Sequence, residues 1–426
     1  MLLPLEMTIP LSVLGLSDIK INAIYIRDNI ELIIDVESTV EDTKCRNCGA
    51  ICEKHGSDRE MELRHLSILG YKTYIRIKPK RGICYKCTDK SVSTTQTLEW
   101  YERGGRQTKY YEDRLLFELI NSTVADVSRK EEISNHTVDH ILENKISTDV
   151  DFTSITTLGV LGIDEISLLK GRKQYVTIIS YRLNGKVHVL TVLKGRTKEI
   201  VKSFLESIPL YLRSTITAVC SDLYDGFINA AKEVLGEGIV TADRFHVAKL
   251  YRKKLINIRK SELKRLNKKL SDEQYKSFKV ATSILCKGRD YFTEEEKVAI
   301  NILFDHSPKL RLAYQFSREL GGIFDRHQSK AVAKIEINNW INRVNKSNLN
   351  CYNGFIVTLE KYIEEIINYF TSRNTSGFVE GFNNKIKVLT RRCYGLKSAK
   401  RLFQRIKLDT EGLAMFKFSP KEASAC

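Results

Sequence analysis

The sequence has no apolar run of the roughly 18–20 residues that a bilayer-spanning helix needs. Its first residues, MLLPLEMTIPLSVLGL, carry no basic leader and no clear cleavage site. Internal repeats and low-complexity tracts are also lacking. These absences argue against a membrane-bound or secreted class. We therefore expect a cytoplasmic protein whose thiols stay reduced.

Acidic residues are in deficit. The 426 residues include 69 Lys and Arg against 52 Asp and Glu, a formal net charge of +17. Such an excess predicts a polyanionic partner, and nucleic acid is the commonest one. The length allows two or three domains with sizeable cores, and the hydrophobic fraction of 42% is ordinary for a globular protein.

The first part of the chain changes character near residue 100. Residues 1–100 read as short strands and turns, in which bulky and basic residues alternate. Residues 106–147 have a helical period with breaks near residues 121 and 134, where N-cap residues stand. The pattern predicts three short helices.

From residue 156 the pattern predicts strands and helices in the order β-β-β-α-β-α-β. Asn184 and Gly185 separate the second and third strands, which is a strong signal for a tight hairpin. Residues 245–370 read as mostly helical, and a last helix is expected over residues 378–408. The order describes a mixed sheet with helices on its faces.

Carboxylates end two of these strands. Asp164 follows the apolar segment 157–163, and Asp222 ends segment 215–222. If the strands are neighbours, both acids meet at one edge, and Glu380 in NTSGFVEGFNNKIK offers a third oxygen donor. Three such donors suit Mg²⁺ or Mn²⁺, which assist phosphodiester cleavage. Alone, each aspartate is better explained as a turn cap and Glu380 as part of a solvated helix face.

Other acidic residues compete for the same role. Glu165 and Asp225 stand beside the two aspartates, and Asp243 ends the last strand in TADRFHV. His246 in that motif is suited to orienting a carboxylate or contacting phosphate, with a structural histidine as the alternative. Asp243 and His246 are therefore possible auxiliary residues.

The segments GIDE, SDLYDGF, TADRFHVAKL and SGFVEGFNNKIKVLTRRCYGLKSAKRLFQR resemble the ISL3 family of insertion-sequence transposases. The resemblance covers roughly residues 156–410. It implies a DDE enzyme with a ribonuclease H-like core, in which Asp164, Asp222 and Glu380 take the places of the catalytic acids. The long gap before Glu380 then implies a helical insertion in that core.

Two cysteine pairs predict a structural zinc site. Cys45 and Cys48 form one C-x-x-C pair, Cys84 and Cys87 the other, and four thiolates complete a tetrahedron. The 35 residues between the pairs exceed the usual zinc-ribbon spacing of roughly 15–20. The resemblance also implies paired N-terminal cysteines. Cys52 and His55 are lower-ranked spare ligands.

Residues 123–146 fit a helix-turn-helix. The first turn of the second helix would present four polar residues to the major groove: Ser134, Asn135, His136 and Thr137. A plain helical hairpin is the alternative reading. The position of the segment between a cysteine module and a basic core favours DNA.

Two basic segments with interspersed Tyr, Leu and Phe predict phosphate contacts. The solvated face of a basic helix is the alternative, and we favour DNA because the second segment directly follows Glu380. The residues expected to contact DNA are Lys253, Lys254, Lys385, Lys387, Arg391 and Arg392.

Together these features predict an α/β transposase. We expect it to bind terminal inverted repeats and target DNA, to use Mg²⁺ or Mn²⁺ with structural Zn²⁺, and to act at the nucleoid as a homo-oligomer. The alternatives are a non-catalytic DNA-binding protein and another ribonuclease H-like nuclease. The expected domains are a zinc module (1–100), a helix-turn-helix (101–150), the catalytic core (151–245 and 371–410), a basic helical insertion (246–370) and a tail (411–426).

Overall fold

A computed structural model of the chain describes residues 2–4, 9–87, 92–168, 174–268, 271–285, 292–373 and 377–416. Within these ranges, the side chains of residues 2–4, 274, 277, 283, 284, 372 and 377–380 are outside the description. The chain divides into two compact units, Met1–Ser147 with Gln404–Cys426, and Thr148–Phe403. Among the described residues, no helix has the length and apolar character needed to cross a membrane.

The first unit combines two small sheets with short helices. Its strands are β1 (Leu2–Pro4), β2 (Ile19–Arg27), β3 (Glu31–Ser38), β4 (Glu53–Ser57), β5 (Met61–Ile68), β6 (Tyr71–Ile77), β7 (Lys80–Cys84) and β8 (Val92–Thr95). One sheet has the order β1-β2-β3-β6-β5 and the other the order β4-β7-β8. Its helices are α1 (Leu11–Leu14), α2 (Lys109–Leu119), α3 (Val124–Glu131) and α4 (Asn135–Lys145). The prediction of strands followed by three short helices is confirmed.

Side-chain caps set the boundaries of the three short helices. The Thr123 side chain accepts from the Asp126 N–H at the start of α3, and the Ser134 side chain accepts from the Thr137 N–H at the start of α4. Glu132 adopts φ 55° and ends α3. The helices then bury an apolar cluster that includes Leu115, Leu119, Val127, Val138 and Leu142.

The second unit is built on one mixed sheet. Its strands are β9 (Gly159–Ser167), β10 (Tyr175–Leu183), β11 (Lys186–Lys194), β12 (Ile216–Ser221) and β13 (Val240–Ala242), with helices α5 (Lys198–Ser207), α6 (Leu210–Arg213) and α7 (Asp225–Leu235) between them. The spatial order is β11-β10-β9-β12-β13. Strand β10 is antiparallel to β9 and β11, whereas β9, β12 and β13 are mutually parallel.

The predicted element order is confirmed, with the short helix α6 as an addition. Leu183 pairs with Lys186 across a two-residue turn in which Asn184 and Gly185 have φ of 50° and 77°. Both central residues thus have the positive φ that a type I′ hairpin requires. The predicted end of the first strand was wrong, because β9 runs past Asp164 to Ser167 and pairs there with Tyr175 of β10.

The region after the sheet is helical, as predicted. Its helices are α8 (Arg244–Asn267), α9 (Asp272–Ile284), α10 (Glu294–His306), α11 (Pro308–Asp325), α12 (Lys330–Lys346), α13 (Asn353–Lys361), α14 (Ile363–Ile367) and α15 (Tyr369–Ser372). Trp340 is fully buried and donates to the Phe316 carbonyl oxygen at 2.9 Å. These helices continue the apolar core that begins under the sheet.

The prediction of one last helix was wrong. Two helices, α16 (Gly377–Arg392) and α17 (Ala399–Met415), replace it. Tyr394 and Gly395 between them have φ of 53° and 96°, and the Gly395 N–H bonds the Thr390 carbonyl oxygen. This left-handed turn is a common way to end a helix, and Gly395 was its signal in the sequence.

The carboxyl-terminal part of α17 completes the core of the first unit. Leu408 is fully buried against α2, α3 and α4. Arg405 is 1% exposed and donates to the carbonyl oxygens of Leu119 and Ser122 at 3.1 and 2.8 Å. These carbonyls lie at the end of α2, where intrahelical partners run out.

Candidate active site and metal centre

Three aspartates follow three registered residues of neighbouring parallel strands. Ser221 of β12 pairs with Ile163 of β9 on one side and with Ala242 of β13 on the other. The next residue in each strand direction is an aspartate: Asp164, Asp222 and Asp243. The register therefore brings all three carboxylates to the carboxyl edge of the sheet, where α/β folds commonly bind ligands.

The adjacent carboxylates of β9 have different partners. Glu165 accepts from Arg196 Nη1 at 2.9 and 3.0 Å, and Arg196 also lies over the Tyr175 ring. Successive strand residues point to opposite faces, so Asp164 lies on the face opposite to Glu165. Glu165 is thus neutralised by an ion pair, whereas Asp164 belongs to the aspartate cluster formed with Asp222 and Asp243.

One histidine joins the other two aspartates. His246, in the first turn of α8, has its Nδ1 at 2.7 Å from Asp222 Oδ1 and 2.9 Å from Asp243 Oδ2. Asp243 is 2% exposed and also caps α8 by accepting from the Phe245 N–H. One potential ligand atom each from Asp222, Asp243 and His246 lies within 4.8 Å of the others, so the group could hold a metal ion.

The electrostatics of the cluster favour added positive charge. Burial and the charge of Asp222 raise the pKa of Asp164 to about 7. Hydrogen bonds to Asp222 and Asp243 raise the pKa of His246 to about 10. A divalent cation bound beside Asp164 would offset the cost of ionising this carboxyl group. His246 already supplies positive charge to Asp222 and Asp243, and it would have to lose its proton to become a metal ligand.

Helix α16 contacts the same cluster through Asn383. Its Nδ2 donates to Asp164 Oδ2, and the residue is 4% exposed. Glu380 lies one turn earlier in α16, but its side chain is outside the described ones. Its assignment as the third acid stays a prediction.

Asp225 does not join the cluster. Its carboxylate contacts Lys361 Nζ at 2.6 Å and the Tyr362 hydroxyl at 2.9 Å. The pKa of Asp225 is lowered by the hydrogen bond from Lys361. This acid therefore ties the start of α7 to the helical region, and we assign it a structural role.

The four paired cysteines form one cluster. Cys45 Sγ lies 3.6 Å from Cys87 Sγ, Cys48 Sγ lies 3.6 Å from Cys84 Sγ, and Cys84 and Cys87 are 3.9 Å apart. Zinc–sulfur bonds of about 2.3 Å at tetrahedral angles place sulfurs roughly 3.8 Å apart. The cluster therefore fits zinc in both ligand number and spacing.

The fold explains the long gap between the pairs. Cys45 and Cys48 lie on a turn in which Gly49 has φ 72°, and Cys84 ends β7. Between them the chain leaves the small sheet, adds β5 and β6 to the larger one, and returns as β7. Backbone N–H groups of Cys48 and Asn47 lower the pKa of Cys45 to about 6, which favours a thiolate.

The two spare ligands lie outside this group of four. Cys52 is buried, with its Sγ 4.0 Å from the Ala50 carbonyl oxygen, and His55 is exposed on β4. Among the described residues, neither belongs to the ligand group.

The residues predicted to contact DNA lie mostly on the surface. Ser134, Asn135 and His136 are exposed and Thr137 is half-buried, and the Ser134 hydroxyl serves as the cap of α4. Lys253, Lys385, Lys387 and Arg391 are exposed, whereas Lys254 and Arg392 are half-buried. Their exposure leaves the DNA-contact prediction open.

Carboxylates gathered at the edge of a sheet can hold the divalent cations that assist phosphodiester cleavage, and a net charge of +17 suits a nucleic-acid partner. The chain belongs to the ISL3 family of DDE transposases, whose family model matches residues 161–406. It is 25% identical to the transposase for insertion sequence element IS1001 of Bordetella parapertussis, over 90% of this chain and 92% of that protein. It is 22% identical to the transposase for insertion sequence element IS1557 of Mycobacterium tuberculosis, over 75% of each chain.

Sequence reasoning missed Asn383, and it suggested that His246 could orient a carboxylate without indicating that it would contact two of them. Asn383 stands in the quoted segment EGFNNKIK, three residues after Glu380. This i, i+3 spacing on a predicted helix was the available signal. The partners of His246 depend on the register of three strands, which no local pattern reveals.

Proposed function

We propose that this chain is the transposase of an insertion sequence, which cleaves DNA at the element ends and joins them to target DNA. Asp164, Asp222 and Glu380 would hold the catalytic Mg²⁺ or Mn²⁺ ions, with Asp243 and His246 as auxiliary groups. The observation that carries the proposal is the registered row of aspartates at the edge of β9, β12 and β13.

The sheet topology supports a ribonuclease H-like core. Three strands form an antiparallel meander, and two further parallel strands follow on the side of the first strand. This arrangement supports placing the first aspartate centrally, with the second on the adjacent strand. The helices from α8 to α15 would then be the insertion between the second and third acids.

Bound divalent cations would activate the attacking oxygen and stabilise the leaving one. The chain's own contribution is to hold oxygen donors in place and to bring the DNA backbone to them. Asp164 is fixed by the Glu165 N–H at 2.6 Å and by Asn383, and Asp222 by His246. The basic segments that contain Lys253, Lys385 and Arg391 would contact phosphates.

The amino-terminal unit would recognise the terminal inverted repeats. The cysteine cluster would hold zinc as a structural ion, and α3 and α4 would form the helix-turn-helix, with the exposed start of α4 in the major groove. Two element ends must be processed together, so we expect a homo-oligomer on DNA, at the nucleoid.

The test is a cleavage and strand-transfer assay with the full chain, Mg²⁺ or Mn²⁺, and DNA that carries the ends of the element flanking the gene. We expect 3′-end cleavage and products joined to target DNA. Asp222→Asn should reduce both by roughly 10³-fold or more, because cation stabilisation of the transition state is worth several kcal/mol. DNA binding in a gel shift should persist.

Asp225→Asn is the matched control, because it removes a nearby carboxylate that the structure assigns to Lys361. Its activity should stay within about threefold of the wild type. Cleavage without joined products would indicate a nuclease instead. Metal-independent binding with no cleavage would indicate a non-catalytic DNA-binding protein.

A further inference from the structure

Asn383 is an unusual residue for the buried face of a helix. It is 4% exposed, and its Nδ2 donates to Asp164 Oδ2 on strand β9. The flanking residues on the same face, Phe382 and Ile386, are buried and apolar. A side chain that only filled space here would be apolar as well, because burying an amide costs free energy unless it is hydrogen-bonded.

The oxygen of the same amide group, Asn383 Oδ1, accepts no hydrogen bond from the described residues, although the atom is buried. An unsatisfied buried acceptor typically costs about 1–3 kcal/mol. Oδ1 shares an amide carbon with Nδ2, so it lies beside the Asp164 carboxylate. Asn383 therefore places an uncharged oxygen, without a hydrogen-bond donor in the described part of the chain, next to its contact with Asp164.

The three aspartates are oriented by different groups. Asp222 and Asp243 share His246, whereas Asp164 has the Glu165 N–H on one oxygen and Asn383 on the other. Removing Asn383 would free one oxygen of Asp164 and also detach α16 from β9 at this point. Since Glu380 lies one turn earlier in α16, the same contact sets the distance of that turn from the aspartates.

We propose that Asn383 is a positioning residue of the cation site, which orients Asp164 and presents its amide oxygen to the bound divalent cation or its water shell. The inference rests on the proposed function, because it assumes that the aspartates hold a cation. An amide meets this need without adding a further negative charge to a crowded cluster.

The test measures Mn²⁺ binding to the DNA-free full chain by titration calorimetry. Asn383→Ala should weaken Mn²⁺ binding by about tenfold, within the range typical for groups that orient metal ligands. Asn384→Ala is the matched control: the neighbouring asparagine is exposed, and its loss should leave the affinity within twofold. Unchanged Mn²⁺ affinity in Asn383→Ala would overturn the proposal.

A second variant keeps the test decisive if Asn383→Ala does not fold. Asn383→Asp replaces the donor with a carboxylate beside Asp164, so its Tm in EDTA should fall. Mn²⁺ should then raise its Tm more than it raises that of the wild type, because bound cation stabilises the folded state that holds it. A Tm deficit that is equal in EDTA and in Mn²⁺ would show a purely structural role.

The failure of the broader proposal gives a different result. If the wild type binds no Mn²⁺, or if Asp222→Asn binds it as well as the wild type does, the aspartate site itself is wrong and the role of Asn383 falls with it. If Asp222→Asn loses Mn²⁺ binding while the Asn383 variants bind Mn²⁺ as the wild type does, the catalytic site stands and Asn383 is a packing residue.

Discussion

The two units of this chain each contain a cluster of potential metal ligands, built in opposite ways. The four thiols of the first unit come as two C-x-x-C pairs, and short local turns set the geometry within each pair. The carboxylates of the second unit come from separate strands and meet because three parallel strands are in register. Local sequence therefore sets each half of the first cluster and the fold brings the halves together, whereas every ligand of the second cluster is placed by tertiary structure.

The two clusters should affect the stability of the fold in different ways. If the four thiolates hold zinc as proposed, the ion would stand in for the core that so small a β module lacks, and loss of the thiolates should unfold the module. Burial and the charge of Asp222 disfavour the ionised form of Asp164, so loss of this carboxylate should stabilise the metal-free protein. Removing ligands from the two clusters should therefore change stability with opposite signs.

The largest effect is expected on removing zinc. Chelation, or Cys84→Ser, should unfold the small sheet around the cysteines, because structural zinc sites contribute on the order of 10 kcal/mol to folding. The second unit should keep its hydrogen-exchange protection. Hydrogen exchange followed by mass spectrometry of the full chain, with zinc content measured in parallel, would report both.

Cys52→Ala is the control for this experiment, because Cys52 is buried beside the cluster but is not among its four ligands. It should retain one zinc per chain. Two results would contradict this contrast between the clusters. One is loss of zinc from Cys52→Ala, and the other is hydrogen-exchange protection of the small sheet that chelation does not change.

The next effect has the opposite sign. Burial and Asp222 raise the pKa of Asp164 to about 7, so the folded state disfavours its ionised form. This cost is absent below pH 4 and complete above about pH 7. Asp164→Asn should therefore stabilise the metal-free second unit by up to about 4 kcal/mol at pH 8. Urea unfolding in EDTA at pH 8 and pH 4 measures it.

Asp225→Asn should give no such gain, because the wild-type carboxylate is paired with Lys361. If Asp164→Asn were no more stable than the wild type at pH 8, the ionised aspartate cluster would not destabilise the metal-free protein. Only the thiol cluster would then change the stability of the protein on removal of its ligands.

The same contrast explains how far the sequence could predict this structure. The two cysteine pairs, the order of strands and helices along the chain and the Asn184-Gly185 hairpin follow from residues within a few positions of one another. The continuation of β9 past Asp164 depends on pairing with β10, and the position of Asn383 depends on packing of α16. The extension of β9 left no local signal, and the spacing of Asn383 after Glu380 indicated only a shared helix face, because the contacts themselves join distant segments.

Two histidines extend the comparison to a smaller effect. His246 in the second unit has its pKa raised to about 10 by two carboxylates, whereas burial lowers the pKa of His65 in the first unit to about 4. His65 is 1% exposed, and its Nδ1 lies 2.8 Å from the Thr108 hydroxyl. It therefore stays neutral in the folded state while the unfolded chain binds a proton below about pH 6.5.

Stability from neutral His65 is thus present above pH 6.5 and is lost as the pH falls towards 4. The unfolding free energy of the first unit should drop by about 2 kcal/mol between pH 7 and pH 5 for this reason, and by about 3 kcal/mol at pH 4. His65→Gln should lose this part of the pH dependence, measured as its difference from the wild type by denaturant titration. The difference cancels proton uptake by the cysteines, which both proteins share. His55→Gln, on an exposed strand of the same unit, should follow the wild-type curve. A His65→Gln curve that also follows it would show that other titratable groups set the pH sensitivity of this unit.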